Sequence, residues 1–270
     1  MVCVGLGEMN KPLAIDLYAG VGGWTDGLLA EGWEVVGFDI ERHVYGEHRY
    51  PAQLVLQDVL TLHGKQFRDA DLIVASPPCQ EYSYMAMPWS KAKAIAAEYR
   101  SGVRDVKNLT ALFDACFRIQ REACEAAGRH VPMVVENVRG AIPWVGRSRW
   151  NFGSFHLWGD VPALMPMTKR SAKMPGHGMS RGDPIWGPHT TGGYGDKLPG
   201  FRFDGSGKSF QTASVAETGT KQGGDWFNAS QPSISRMHGS KSSARKAASA
   251  MIARIPLPLA RHIAAVYRPC

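Results

Sequence analysis

Apolar runs of strand length alternate with helix-compatible stretches over the first half of the chain, and this alternation constrains the fold more than any other feature. The runs are LAIDLY (13–18), WEVVGFDI (33–40), QLVLQDV (53–59), ADLIVAS (70–76) and PMVVENV (132–138). Between them lie GGWTDGLLAEG (22–32) and NLTALFDACFRIQREACEAAG (108–128). Strands separated by helices form mostly parallel sheets that helices cover on both faces. We therefore predict an α/β fold of this kind.

The stretch 108–128 is the clearest helix, because its apolar residues recur on one face and Gly128 provides a stop. That face includes Cys116 and Cys124, which we interpret as packing residues. The five cysteines are odd in number and form no C-x-x-C pair. The sequence thus predicts neither a disulfide framework nor a metal site, and it fits a reducing compartment.

The net charge of +7 is confined to one segment. Residues 165–250 contain 12 Lys and Arg against 5 Asp and Glu, whereas the two signs balance elsewhere. A localised basic region is typical of a surface that binds nucleic-acid phosphates, and a solvated surface insertion is the alternative. The chain has neither an apolar run of about 20 residues nor a signal-peptide pattern at its N-terminus. We therefore expect a cytoplasmic protein without a membrane partner.

Regular patterns return near the C-terminus, in SSARKAASAMIARIPLPLARHIAAVY (242–267). Ala247, Met251 and Ile252 suit one helix face, and Pro256 and Pro258 interrupt it. A second amphipathic piece with Leu259, Ile263 and Val266 follows.

Glycines and carboxylates follow the first three predicted strands. Gly20, Gly22 and Gly23 in DLYAGVGG (16–23) permit a tight turn and a close approach to a ligand at a helix N-terminus. Because the loop is neither a phosphate-cradling nor a full dinucleotide motif, it favours a cofactor without a pyrophosphate. Asp39 and Asp58 end the next two strands, where a carboxylate either binds an adenosine group or caps the following helix.

A thiol and a carboxylate follow the fourth and fifth strands. In ASPPCQEYSYM (75–85), two prolines end the strand and present Cys79, which is either a small buried hydrophobe or a nucleophile. Glu136 follows Val134 and Val135 directly, a position that is costly for a carboxylate without solvent or a partner. Their occurrence at neighbouring strand ends favours an active site.

The order DLYAGVGG, VVGFDIE, QDV, PPCQ and ENV resembles the cytosine-C5 DNA methyltransferase family, and IPLPLARHIA resembles its closing segment. The match covers residues 12–140 and 250–265. It implies a Rossmann-like S-adenosylmethionine-dependent methyltransferase fold with a small irregular recognition region. On this basis we predict a catalytic domain of residues 12–164 and 241–270 and a basic target-recognition region of residues 165–240. The short recognition region is similar to those of compact bacteriophage or prophage members.

The resemblance also implies a role for each matching residue. Cys79 would attack carbon 6 of a flipped cytosine, and Glu136 would contact its N3 and exocyclic amine. The implied S-adenosylmethionine-binding residues are Asp16, Tyr18, Gly20, Gly22, Gly23, Asp39, Ile40, Asp58 and Pro78. The implied substrate-binding residues are Gln80, Ser83 and Asn137. Residues 81–104 match the mobile loop that closes over DNA, or form an ordinary amphipathic helix.

The sequence departs from the family at two informative places. The usual Q-x-R-x-R motif is compressed, with Val145 in place of glutamine; we assign Arg147 and Arg149 to the base pocket, with phosphate contacts or plain surface charge as alternatives. The usual G-N-S-V is replaced by IARI (252–255). Arg254 there raises carboxy-S-adenosylmethionine as a variant donor, although an outward-facing arginine is the preferred interpretation.

The expected partner is double-stranded DNA, bound by a monomer. Transfer-RNA cytosine is the alternative substrate, and a non-catalytic DNA-binding relative is the alternative class. The sequence identifies no restriction endonuclease partner.

Overall fold

A central sheet of seven strands organises the protein, whose computed structural model describes residues 11–80, 82, 89–165 and 243–269. In chain order the strands are β1 (Leu13–Leu17), β2 (Glu34–Asp39), β3 (Val44–Tyr45), β4 (His48–Arg49), β5 (Gln53–Leu56), β6 (Leu72–Ala75), β7 (Met133–Asn137), β8 (Trp150–Phe152) and β9 (Phe155–Gly159). The helices are α1 (Gly23–Ala30), α2 (Trp89–Arg100), α3 (Val106–Ala127), α4 (Ile142–Val145), α5 (Ser243–Ala253) and α6 (Leu257–Tyr267).

The strand order in the large sheet is β5-β2-β1-β6-β7-β9-β8, and β3 and β4 form a separate hairpin. The five strands from β5 to β7 are parallel, whereas β9 runs antiparallel to both β7 and β8. The predicted Rossmann-like α/β class with a mostly parallel sheet is confirmed. Ligands in such sheets bind outside the carboxyl ends of the strands. We therefore expect a site at the carboxyl ends of β1, β2, β6 and β7.

Alternate residues of the central strands pack on opposite faces, as the pleat of a strand requires. In β6, Ile73 and Ala75 join the core cluster that contains Phe113 and Ile119 of α3. The intervening Leu72 and Val74 join the cluster that contains residues of α1 and α6. Helices therefore cover both faces, and this is why the strands read as nearly continuous apolar runs.

The longest helix, α3, has a defined signal at each end. The Asp105 carboxylate accepts a hydrogen bond of 2.9 Å from the Lys107 N–H, and Gly128 adopts a left-handed conformation with φ 62°. Cys116 is fully buried on the face toward the sheet, as predicted. Cys124 is half-buried.

Three local expectations differ from the structure. The hairpin of β8 and β9 was not predicted, although apolar and polar residues alternate in Trp150-Asn151-Phe152 and Phe155-His156-Leu157 on either side of Gly153 and Ser154. Residues 89–100 of the predicted mobile loop form α2, in which Ala96 and Tyr99 are buried, so the amphipathic-helix alternative applies to this part. Val266 is 49% exposed, although Leu259 and Ile263 of the same helix are fully buried.

The predicted recognition region, apart from residue 165, and Ser83 lie outside the described residues, so those predictions stay untested. Within the described ranges, no helix is both long and apolar enough to cross a membrane.

Candidate active site

The carboxyl ends of β1, β2 and β6 open onto a cleft of about 520 Å³. This volume lies in the range typical of small-ligand sites. The predicted residues that line it are Tyr18, Gly20, Gly23, Asp39, Ile40, Asp58, Pro78 and Gln80. Eight positions predicted from separate strand ends therefore meet in one place, as the parallel topology requires.

The glycine loop between β1 and α1 forms the floor of the cleft. Gly20 and Gly22 have φ of 53° and 82°, conformations that favour glycine. A Cβ on Gly22 would lie 2.4 Å from Pro51 Cδ, so this glycine serves close packing and does not line the cleft. The Gly20 N–H donates a hydrogen bond of 2.9 Å to Asp39 Oδ2, which joins the loop to the end of β2.

Asp39 is 8% exposed and is largely engaged by the protein. Besides Gly20, the Glu41 N–H lies 3.3 Å from its Oδ1, and His43 Nε2 lies 3.5 Å from the same oxygen. Burial alone would raise the pKa of Asp39, but the hydrogen bonds from His43, Gly20 and Glu41 hold it below its usual value. Since a carboxylate offers about four acceptor positions, about one remains for a ribose hydroxyl.

Asp58 caps a short turn, one of the two roles that the sequence left open, and it also lines the cleft. Its Oδ1 accepts a hydrogen bond of 2.9 Å from the Leu60 N–H and so caps a short 3-10 turn. No hydrogen bond to its Oδ2 is formed among the described residues. Nearby, Ile40 is 72% exposed and also lines the cleft. An exposed apolar side chain beside an acceptor suits the face and amino group of an adenine.

Tyr18 lies on the opposite side of the glycine loop and is tied to α3. It adopts φ 60°, unusual for a residue other than glycine, and its hydroxyl donates a hydrogen bond of 2.8 Å to the Leu112 carbonyl. Burial raises the pKa of Tyr18 above its usual range, so the phenol stays protonated and the bond is kept.

Asp16 lies beneath the cleft instead of lining it. It is 1% exposed, and its Oδ2 lies 2.6 Å from the Thr25 hydroxyl oxygen, which lies 2.7 Å from the Tyr50 hydroxyl. Burial raises the pKa of Asp16 to about 8, so at neutral pH it carries a proton. The three side chains join β1, α1 and the segment after β4 directly behind the glycine loop. We therefore assign Asp16 a positioning role in place of the predicted direct contact.

Cys79 is half-buried in the loop after β6. Asn137, at the end of β7, holds this loop: its Nδ2 donates a hydrogen bond of 2.9 Å to the Pro77 carbonyl. Its Oδ1 accepts one of 2.8 Å from the Val138 N–H. Both ends of the buried amide bond the protein, so Asn137 holds the loop that carries Cys79. Its predicted contact with a substrate stays a prediction.

Tyr82, three residues after Cys79, is also held in place. The Tyr82 N–H donates a hydrogen bond of 3.0 Å to the Cys79 carbonyl, and its hydroxyl donates one of 2.7 Å to the Leu109 carbonyl of α3. Gly140 lies so close that a Cβ there would be 1.9 Å from the Tyr82 carbonyl oxygen. The loop is thus held by β7, by α3 and by residue 140.

Glu136 is 4% exposed in β7, the strand next to β6. The parallel register pairs Ala75 with Val135, and its extension by one residue sets Glu136 beside Ser76. The structure therefore brings the carboxylate and the thiol to adjacent strand ends, as predicted. Within the described ranges, no group of three or more His, Cys, Asp or Glu residues could hold a metal ion.

Arg147 and Arg149 are exposed and do not line the cleft. The Arg149 N–H donates a hydrogen bond to the Leu157 carbonyl at the edge of the β8–β9 hairpin. Their assignment to a base pocket stays a prediction.

Several cleft residues were missed by the sequence analysis. They are Glu41, His43, Tyr45, Ser76, Leu112, Lys246 and Ser249. Glu41 and His43 follow Asp39 closely, and the DIE pattern offered a signal for Glu41. Lys246 and Ser249 come from α5, more than 200 positions later in the chain, and no sequence pattern links them to the glycine loop.

Comparison with known proteins supports the predicted family. Residues 13–122 match the family model described as C-5 cytosine-specific DNA methylase. No curated protein matches the chain.

Several solved structures are similar. A protein described as a DNA modification methyltransferase, encoded within prophage Cp of E. coli, is 23% identical with a TM-score of 0.33 and covers 49% of this chain and 33% of its own. The S. pombe Dnmt2 methyltransferase is 18% identical with a TM-score of 0.31 and covers 50% and 37%. The Entamoeba histolytica methyltransferase EhMeth is 16% identical with a TM-score of 0.29 and covers 51% and 41%.

The chain thus spans about a third of the length of the first two structures. The resemblance predicted from the sequence is confirmed over residues 13–122, where the chain matches the C-5 cytosine-specific DNA methylase family.

Proposed function

We propose that this protein transfers a methyl group from S-adenosylmethionine to carbon 5 of a cytosine flipped out of double-stranded DNA, with Cys79 as the nucleophile. The observation that carries the proposal is the pair of adjacent strand ends. The half-buried thiol of Cys79 lies four residues after the end of β6, and the buried carboxylate of Glu136 lies one residue before the end of β7. Pro78 and Gln80, on either side of Cys79, line the cleft.

The cleft residues fit the cofactor. Ile40 would cover one adenine face, Asp58 Oδ2 would accept from the adenine amino group, and Asp39 with the exposed Glu41 would share the ribose hydroxyls. Gly20 and Gly23 allow the close approach of the methionine part. When bound, S-adenosylmethionine would supply an electrophilic methyl group on a sulfonium.

The chemistry assigns complementary tasks to Cys79 and Glu136. Carbon 5 of cytosine is a weak nucleophile, and addition of the Cys79 thiolate at carbon 6 makes it an enamine carbon. Glu136 would hold a proton at ring N3 while the thiolate adds. After methyl transfer, loss of the carbon 5 proton releases Cys79 and 5-methylcytosine. The target base must leave the duplex for the thiol to reach it.

We favour S-adenosylmethionine over its carboxylated variant because Arg254, the residue that would pair with an added carboxylate, already pairs with Asp26. For the substrate, the localised basic segment supports a nucleic acid, and the family match supports DNA.

A covalent trap tests the proposal. Duplex DNA containing 5-fluorocytosine, incubated with protein and S-adenosylmethionine, should give an adduct that survives denaturation, because fluorine blocks the elimination step. Cys79→Ala should give none, whereas Cys124→Ala, which removes a second half-buried thiol among the described residues, should give the wild-type amount. No adduct with wild type bound to the DNA would favour the non-catalytic relative, and an adduct only with transfer RNA would change the substrate.

A further inference from the structure

One wall of the cleft comes from the C-terminal segment. Lys246, Ser249 and Ala250 of α5 line it, and so do Arg254 and Ile255 immediately after the helix. The cleft is therefore closed by a segment far in sequence from the strands that form its floor. What holds this wall in place determines how tightly a ligand is enclosed.

The wall meets the glycine loop at Gly23. A Cβ on Gly23 would lie 2.4 Å from the Ile255 nitrogen and 3.0 Å from Arg254 Cγ, so the two backbones are in close contact. Ile255 is 5% exposed and packs in the core cluster that includes α1 and α6. This packing fixes the end of the wall but not the direction of the Arg254 side chain.

The Arg254 side chain is directed by an ion pair. Its Nη2 donates a hydrogen bond to Asp26 Oδ2 in the first turn of α1. The Asp26 N–H in turn donates to the Gly22 carbonyl at 2.9 Å. The side chains are 34% and 28% exposed, so the pair is partly shielded from water and from salt.

We propose that the Arg254–Asp26 pair is a latch that holds the C-terminal wall against the glycine loop and neutralises the guanidinium that faces the cofactor. The inference rests on the proposed cofactor cleft and deepens it. Arg254 and Asp26 act as positioning residues, and they set the affinity for the cofactor through closure and through charge.

The charge of the latch can be tested separately from its packing, because charge affects a cationic ligand and a neutral ligand differently. S-adenosylmethionine carries a positive sulfonium, whereas S-adenosylhomocysteine has a neutral sulfur. Asp26→Asn leaves an uncompensated guanidinium on the wall, so it should weaken binding of the sulfonium ligand more than binding of the neutral one. Arg254→Ala opens the latch but leaves the Asp26 carboxylate uncompensated, so it should weaken binding of the sulfonium ligand less than binding of the neutral one.

Isothermal titration of the full chain with each ligand tests this. We expect both variants to bind S-adenosylhomocysteine about one and a half to five times more weakly than wild type, the range for a solvent-accessible pair. Asp26→Asn should in addition lower the preference for S-adenosylmethionine by about threefold or more. Arg254→Lys, which keeps the charge, should recover most of the loss seen with Arg254→Ala.

Arg261→Ala provides the matched control. Arg261 Nε forms a 2.6 Å hydrogen bond to Glu31 Oε1, a second ion pair between the C-terminal segment and α1, and neither residue lines the cleft. This variant should bind both ligands as wild type does. Equal weakening in Arg261→Ala and Arg254→Ala, or an unchanged ligand preference in Asp26→Asn, would overturn the latch. Failure of wild type to bind either ligand would instead overturn the proposed cofactor site itself.

Discussion

Asn137 Nδ2 and the Pro77 carbonyl oxygen, 2.9 Å apart, join the end of β7 to the loop that carries Cys79. The strand that contains the buried carboxylate of Glu136 therefore also holds the loop of Cys79, the proposed nucleophile. Glu136 and Asn137 are consecutive residues. A displacement of this strand end would therefore move the Glu136 carboxylate and the Cys79 thiol together.

Asn137→Ala should uncouple the two groups. It leaves the Pro77 carbonyl and the Val138 N–H without their side-chain partner, which should lower the free energy of unfolding by about 1–3 kcal/mol. A misplacement of the thiol by about 1 Å should slow covalent adduct formation by about 100-fold. Affinity for S-adenosylhomocysteine should change little, since Asn137 does not line the cleft.

Asn151→Ala is the control for that experiment. Asn151 Nδ2 also donates to a backbone carbonyl, that of Gly153 at 2.9 Å, but in the exposed β8–β9 hairpin. Its adduct rate should equal that of wild type. A normal rate in Asn137→Ala would contradict the positioning role.

Two tyrosine hydroxyls donate hydrogen bonds to backbone carbonyls of α3 that lie one helical turn apart. Removal of each hydroxyl should have a different effect. Tyr18 donates to the Leu112 carbonyl beside the cleft, and Tyr82 donates to the Leu109 carbonyl beside the nucleophile loop. Each Tyr→Phe change should destabilise the protein by about 0.5–1.5 kcal/mol. Tyr18→Phe should weaken cofactor binding severalfold but preserve adduct formation at saturating cofactor. Tyr82→Phe should slow adduct formation but preserve cofactor binding. Identical profiles for the two variants, measured by titration and adduct kinetics, would argue against separate roles.

Gly140 should tolerate no side chain. Because a Cβ would lie 1.9 Å from the Tyr82 carbonyl oxygen, Gly140→Ala must displace the backbone of the nucleophile loop, at a cost of about 1–3 kcal/mol. Gly102→Ala is a useful comparison, since a Cβ there meets nothing within 4 Å and only the positive φ of 78° opposes it. Adduct formation should fall sharply in the first variant and stay normal in the second. Equal adduct rates would show that the contact is relieved without effect on Cys79.

Asp16 should make stability depend on pH in an unusual direction. Its pKa is raised to about 8 in the folded protein, so between about pH 4 and pH 8 the folded state holds a proton that the unfolded state has released. The free energy of unfolding contributed by this group should therefore fall as pH rises through that window. Thr25, Tyr50, Asp39 and Asp26 are the polar or charged groups that act on this carboxyl group.

Asp16→Asn removes this titration while keeping the shape of the side chain. Urea unfolding at a series of pH values should show the variant gaining stability relative to wild type as pH rises from about 4 to about 8. Other titrating groups cancel in this difference. A difference that is flat over the window would mean that Asp16 is ionised in the folded protein at neutral pH.

The parallel sheet and the strand ends were predictable because a buried parallel strand must be apolar over its length and must stop where polar residues begin. Asp39, Asp58, Cys79 and Glu136 each mark such a stop, and topology alone brings the ends together. Side-chain direction near the strand end was not predictable. Asp16, one residue before the end of β1, and Asn137, at the end of β7, are both buried in the protein.

Ion pairs between residues far apart in the chain could not be predicted from the sequence either. Arg254 and Asp26 are 228 positions apart, and only folding of α5 and α6 against α1 brings them together. The β8–β9 hairpin differs, because its signal is local: apolar and polar residues alternate in Trp150-Asn151-Phe152 and in Phe155-His156-Leu157 on either side of Gly153 and Ser154.

The central claim is that Cys79 serves methyl transfer to carbon 5 of cytosine in DNA. Nucleoside mass spectrometry of DNA from cells that express wild type or Cys79→Ala at equal soluble levels tests it most directly. We expect 5-methylcytosine, a gain of one methyl group on cytosine, with wild type and none with the variant. Equal 5-methylcytosine in both cultures, or unmodified DNA from cells that contain soluble wild-type protein, would contradict the account.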